Sequence, residues 1–157
     1  MAHNVMPAPS EECQDLYERD YYTWALEQAR ALKERRLETL DWHNLAEEVE
    51  DLGRSEKREL RSRLEVLLVH LLKWRFQPKR RSKSWKATVA VQRLKLRRHL
   101  RDNPGLKPFV PDLLAEAYDT ARIEVAGRLS TPEESQLPTA CPWSFEELID
   151  ETFKPEA

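Results

Sequence analysis

Apolar residues recur every three or four positions through the middle of this chain. Trp42, Leu45, Ala46, Val49 and Leu52 open the series, and Leu60, Leu64, Leu67, Leu71 and Trp74 continue it. That period lines them along one face of an α-helix. Gly53 lies inside the series and would suit the position just past a helix end. A stop and restart usually loses phase, and here the phase is kept. The pattern therefore predicts one long helix over about 42–76, with Gly53 a weak point costing about 1 kcal/mol against Ala. Gln77–Pro78 ends it, because proline disfavours helical backbone in the residue before it.

The flanking segments read the same way. A first helix is expected from Asp20, its N-cap, to about Arg35, with Tyr21, Trp24, Ala25, Gln28 and Leu32 in helical register. Asp41 caps the long helix. Ser82 or Ser84 caps a third helix, Trp85 to about Arg101. Asn103–Pro104 signals a fresh turn, and Pro108 and Pro111 fit the start of a fourth helix that ends at Gly127. Capping boxes at Thr131–Glu134 and Ser144–Glu147 mark a single turn and a short helix to about Thr152. No strand pattern or internal repeat is present. The predicted fold class is all-α: an up-and-down helical bundle of four main helices, one long (about 42–76), plus a short C-terminal helix. Residues 1–15, polar and proline-containing, read as a flexible tail. Residues 16–157 read as a single helical-bundle domain, large enough to bury a core.

Composition agrees with this picture. Leu, Ala, Glu, Lys and Arg dominate, Gly occurs only three times, and 34% of residues are charged, so most helices must present one wet face. No stretch reaches the roughly 18 apolar residues of a membrane span. The N-terminus lacks the basic start and apolar run of a signal peptide, so a cytoplasmic location and no membrane partner are expected. Cys13 and Cys141 are the only thiols and have no C-x-x-C spacing. That excludes a cysteine-built zinc site and argues against a structural disulfide.

Charge changes the picture more. The net charge of −2 hides a split, since residues 54–101 hold 17 Lys/Arg against three acids (Glu56, Glu59 and Glu65). No acid occurs from Val66 to Arg101. The stretch 73–86 carries Lys73, Arg75, Lys79, Arg80, Arg81, Lys83 and Lys86, with Trp74, Phe76 and Trp85 between them. Nucleic acid or another polyanion suits such a surface, because cations displace condensed counterions and aromatic faces stack on bases. The candidate anion-binding residues are Lys73, Arg75, Lys79, Arg80, Arg81, Lys83, Lys86 and Trp85, within the basic segment 73–101. The plainer alternative docks this segment on acidic faces of the other helices and buries the tryptophans in the core.

The pieces YERDYYTWALEQA (17–29), LDWHNLAEEVEDLGRSEKREL (40–60), LLVHLLKWRFQP (67–78), RSKSW (81–85) and CPWSFEELI (141–149) resemble a known family. From Tyr17 to Pro155 the chain is similar to the bacterial, and especially cyanobacterial, domain of unknown function family 29. The resemblance implies an almost wholly helical protein and assigns no activity. His43 departs from the family pattern, which counts against a site built on it.

Metal chemistry has weak candidates, His70 and Glu47. Glu47, Glu48, Glu50 and Asp51 cluster, and His43–Glu47 has i, i+4 spacing. The Glu-x-x-His pairs of di-iron bundles are absent, since Leu40, Leu67 and Leu96 precede His43, His70 and His99 by three. On one helix, Glu47 and His70 would also stand roughly 35 Å apart. His70 sits among leucines and is expected to be at least half buried, with Gln92 or His99 as partner. No nucleophile elbow, P-loop or dinucleotide fingerprint occurs, so no enzymatic activity and no cofactor are expected. Cys141-Pro-Trp reads as a packing turn. The first functional expectation is a non-enzymatic helical interaction or adaptor protein, pairing with a second copy or another protein through the long helix. Polyanion binding through 73–101 and a metal-dependent bundle enzyme are the alternatives.

Overall fold

The computed structural model describes residues 16–156; the expected tail and Cys13 lie outside them. Among the described residues there is no strand, and the fold is all-α. The helices are α1 (Tyr21–Lys33), α2 (Trp42–Phe76), α3 (Lys83–Asp102), α4 (Val110–Ala126), α5 (Thr131–Glu134) and α6 (Phe145–Ile149). Turns of 3-10 helix at Leu37–Thr39, Pro78–Arg80 and Pro104–Phe109 join them. As the apolar period predicts, α2 runs unbroken for 35 residues through Gly53. The chain forms two compact units, one up to Arg54 and one from Ser55 onward.

In the first unit, Asp20 caps α1 by accepting from the Thr23 backbone N–H at 3.0 Å. The helix ends in a left-handed residue, Arg35, with φ 55°. Arg36 N–H then reaches back to the Ala31 carbonyl and Arg35 N–H to Leu32, which satisfies two terminal carbonyls. Trp24, Gln28 and Ala31 face inward, whereas Tyr21 and Leu32 are half exposed. Asp41 is wholly buried yet fully bonded. Its carboxylate accepts from Trp24 Nε1 at 3.1 Å and Asn44 Nδ2 at 2.7 Å, and its own N–H donates to Gln28 Oε1 at 2.8 Å. One residue thus caps α2 and ties it to α1, and leaving any of these groups unpaired would cost about 1–3 kcal/mol. The expected inner stripe fails at its start, because Val49 is 64% exposed and Leu52 68%.

In the second unit the stripe holds. Leu60, Leu64, Leu67, Leu68, Leu71 and Leu72 of α2 are sealed from solvent. Val89, Leu96 and Leu100 of α3 join them, with Val110, Leu113, Ala117, Tyr118, Ala121 and Val125 of α4. Ser82, rather than Ser84, caps α3 through the Trp85 N–H. The α5 turn starts one residue earlier than expected. Glu133 accepts from the Ser130 N–H and hydroxyl at 3.0 and 2.8 Å, and so makes Ser130 the cap instead of Thr131. The second box, Ser144–Glu147, forms as read. Its helix ends at Ile149 because Asp150 turns extended and accepts from the Thr152 N–H and hydroxyl. Trp143 is buried beside Cys141, whose thiol faces the Trp143 carbonyl at 3.4 Å.

Two backbone positions carry opposite misfits. Arg35 occupies a left-handed conformation that favours glycine, and Gly53 occupies helix interior with open space around a would-be Cβ. Arg35→Gly and Gly53→Ala should each raise stability, by about 1 kcal/mol or less. Thermal unfolding followed by circular dichroism checks this, and a lower Tm for Gly53→Ala would contradict it.

Candidate anion-binding surface

From Val66 to Arg101 the chain has no acid of its own, so its cations must find other partners. Backbone carbonyls take two of them. Arg93 stands in the buried phase of α3 with Val89, Leu96 and Leu100, and is only 3% exposed. Its guanidinium donates to the carbonyls of Leu148, Glu151 and Phe153 at 2.7, 3.4 and 2.8 Å. Arg97, one turn on, donates to Ile149 O at 2.9 Å and pairs with the Glu151 carboxylate. Together they bond the exposed carbonyl end of α6, which the helix dipole makes favourable for cations. Burial lowers the Arg93 pKa, with Asp150 and Glu151 opposing that shift from longer range.

Aromatic rings take others. Lys73 Nζ lies 4.6 Å from the Trp85 ring centre. Arg81 and Lys86 lie 4.9 and 5.7 Å from that of Trp74, and Arg75 5.3 Å from that of Phe76. Arg81 Nε also donates to the Trp74 carbonyl at 2.8 Å. Both tryptophans are half-buried, so they are not the core residues of the plainer alternative. Each carries a cation near its ring, worth roughly 0.5–1 kcal/mol at such sites. Lys73 is partly covered, and burial lowers its pKa, with Arg128 acting the same way and Glu124 against it.

Lys79, Arg80 and Lys83 stay in solvent, and Arg81 and Lys86 are exposed as well beside the Trp74 ring; the five lie on the turn after α2 and the first turn of α3. Among the described residues none of the five has a carboxylate within 4.0 Å, the distance at which an ion pair is recognised. Below the turn lies a polar notch of about 390 Å³, lined by Gln77, Lys79, Arg80, Arg128, Ser130 and Glu133. Gln77 Nε2 bonds the Arg128 carbonyl across it at 3.1 Å. Glu133 is held below the usual carboxylate range, first by the Ser130 N–H, then by its hydroxyl, with Arg80 adding a smaller effect. A phosphate at this notch would meet Lys79 and Arg80 on one wall and Arg128 on the other, although Arg128 already pairs with Glu124 at 3.0 Å.

The family model described as "Domain of unknown function DUF29" matches residues 16–154. The chain belongs to that family. Searches of curated proteins and of solved structures give no match. No described helix of this DUF29 chain is long and apolar enough to cross a membrane.

The metal candidates do not converge in the DUF29 chain. Among the described residues, no group of three or more His, Cys, Asp or Glu side chains is placed to hold an ion. Glu47 faces His43 at 3.7 Å. His70 is partly buried and turns Nδ1 to the Val66 carbonyl at 2.8 Å, one helical turn back, rather than to Gln92 or His99. His99 instead reaches Glu56, with Nε2 3.0 Å from its carbonyl and 3.4 Å from its carboxylate. The acidic cluster is engaged locally. Arg54 binds Asp51 and Glu50, and Glu48 accepts from the hydroxyls of Tyr17 at 2.6 Å and Tyr21 at 2.7 Å.

Those tyrosines give a pH prediction. The hydrogen bond to Glu48, aided by burial and by the same carboxylate's charge, pushes the Tyr17 pKa from 10.0 up to about 12, and raises Tyr21 for the same reasons. The unfolded chain loses these protons first, near pH 10, so the bonds' contribution to stability is intact below about pH 10 and fades as pH rises toward about 12. Ultraviolet titration should show Tyr17 ionising near pH 12, and Glu48→Ala should bring both tyrosines back toward about 10. All four tyrosines ionising together near pH 10 in the wild type would refute it.

Proposed function

We propose that this chain is a binding protein that docks a polyanion, nucleic acid foremost, through the turn after α2 and the first turn of α3. The observation that carries the reading is the exposed quintet Lys79, Arg80, Arg81, Lys83 and Lys86, none with a carboxylate partner among the described residues. Elsewhere in the same acid-free stretch, Arg93 and Arg97 are tied to carbonyls. Phosphates along a strand would replace the small counterions now required at the turn, and their release favours binding at low salt. Arg80 and Arg81 supply planar donor forks that match phosphate oxygens. Lys73, Arg75 and Trp85 are partly buried, Lys73 against the Trp85 ring and Arg75 against that of Phe76, so the exposed quintet meets the ligand first.

The adaptor reading keeps one observation of its own. Tyr22, Leu26, Leu37 and Val49 of the first unit are each more than half exposed, an apolar surface of the kind that protein partners cover. We place it second because an apolar surface names no partner chemistry, whereas the quintet does. A cytoplasmic location fits either reading.

Fluorescence anisotropy with single-stranded and duplex oligonucleotides tests the first. Binding should appear at about 50 mM salt and weaken with a log–log slope of about −3 to −4 on single strands, the value for five neutralised phosphates. Lys79→Glu combined with Lys83→Glu should lower affinity at least about tenfold, since it both removes and reverses charge. No binding at low salt removes the reading.

A further inference from the structure

A second opening in the second unit, apart from the basic notch, is a cleft of about 490 Å³ between the end of α2, α3 and the C-terminal segment. Its walls are apolar: Leu71, Val89, Ala90, Leu94, Phe153 and the Trp74 ring. Its volume lies in the range of small-ligand sites, which combine such walls with a few placed polar groups.

The charge around it is one-sided. Lys86, Arg93, Arg97 and Lys154 line it, against the single acid Glu151. Glu151 is already committed to Arg97. Lys86 and Lys154 are exposed, and neither has an ion-pair partner among the described residues. Arg93 matters most. Its hydrogen bonds all go to neutral carbonyls, so a buried guanidinium stands in the wall with no carboxylate in contact. Carbonyl dipoles satisfy its N–H groups but do not neutralise its charge. Arginine keeps its proton in proteins, so the positive potential persists. Asp150 and Glu151 offset the Arg93 charge only from longer range, so an apolar wall around an excess of positive charge focuses that potential into the cleft.

We propose that this cleft is a binding site for a small organic anion with an apolar body, of the medium-chain carboxylate class. The chain would lie along Leu71, Val89, Ala90 and Leu94, and the carboxylate at the Lys86–Lys154 rim, in the field of Arg93. This site shares Lys86 with the exposed quintet, but Ala90, Leu94 and Lys154 line it alone, so it can be tested apart from polyanion docking.

Calorimetric titration of the full chain with decanoate, decan-1-ol and decyltrimethylammonium reads the proposal directly. Decanoate should bind one per chain and at least tenfold more tightly than decanol, with no uptake of the cation. Ala90→Trp places an indole into the cleft from an exposed helix position and should weaken decanoate at least tenfold. Lys154→Glu should weaken it severalfold with the fold unchanged by circular dichroism. Ala90→Trp should leave oligonucleotide binding as in the wild type, which separates the fate of this site from that of the turn. Equal binding of decanol and decanoate, uptake at many sites, or decanoate binding unaffected by both substitutions overturns it.

Discussion

Six leucines of one helix, at positions 60, 64, 67, 68, 71 and 72, are 2% exposed or less, and everything from Ser55 onward is arranged to keep them so. Each such side chain contributes roughly 1.5–3 kcal/mol by leaving water. Because α2 turns every 3.6 residues, a ridge this wide needs cover on more than one side. The buried faces of α3 and α4 supply most of that cover, and the C-terminal segment adds Leu137, Trp143 and Leu148. α6 has only five residues, too short to be stable alone. It is held by its capping box at one end and by two arginines at the other.

The same ridge creates the electrostatic problem of the molecule. Residues 66–101 must bury leucines while carrying many cations and no acid. Three partners with different strengths share those cations. Carbonyls at the end of α6 accept from Arg93 and Arg97, half-buried aromatic rings lie beside Lys73, Arg75, Arg81 and Lys86, and solvent surrounds Lys79, Arg80 and Lys83. Only the carbonyl group uses the charge structurally. Positive potential remains in two places: at the polar notch, from Lys79 and Arg80, and at the apolar cleft, from Lys86, Arg93 and Lys154. A polyanion and an apolar anion are therefore two answers to one imbalance, read at different places.

Much of the fold was legible because it is local. The α2 span, its unbroken passage through Gly53 and the caps at Asp20, Asp41, Ser82 and Ser144 follow from periodicity and short-range side-chain chemistry. Which part of an apolar stripe is covered is a tertiary fact, so Val49 and Leu52 read as inward and stand outside. The left-handed Arg35 had no glycine to announce it. Ser130 and Thr131 offered equally good capping boxes, and only the reach of Glu133 distinguishes them. At the site, the basic turn was visible as composition. Arg93 was missed although its signal was present: an arginine at 93 sits on the Val89–Leu96–Leu100 face, and a cation in an apolar phase must have buried partners. Those partners are carbonyls of a distant segment, which no spacing rule could name. His70 finds its partner within its own helix, which spacing alone does not favour over a neighbour.

Hydrogen exchange read by mass spectrometry tests the leucine ridge most directly. If the ridge organises the second unit, amides over residues 60–72 exchange only through global unfolding and are the slowest in the chain, while residues 42–52 of the same helix, with Val49 and Leu52 outside, exchange faster. Uniform protection along α2, or exchange at 60–72 as fast as at 42–52, would contradict it.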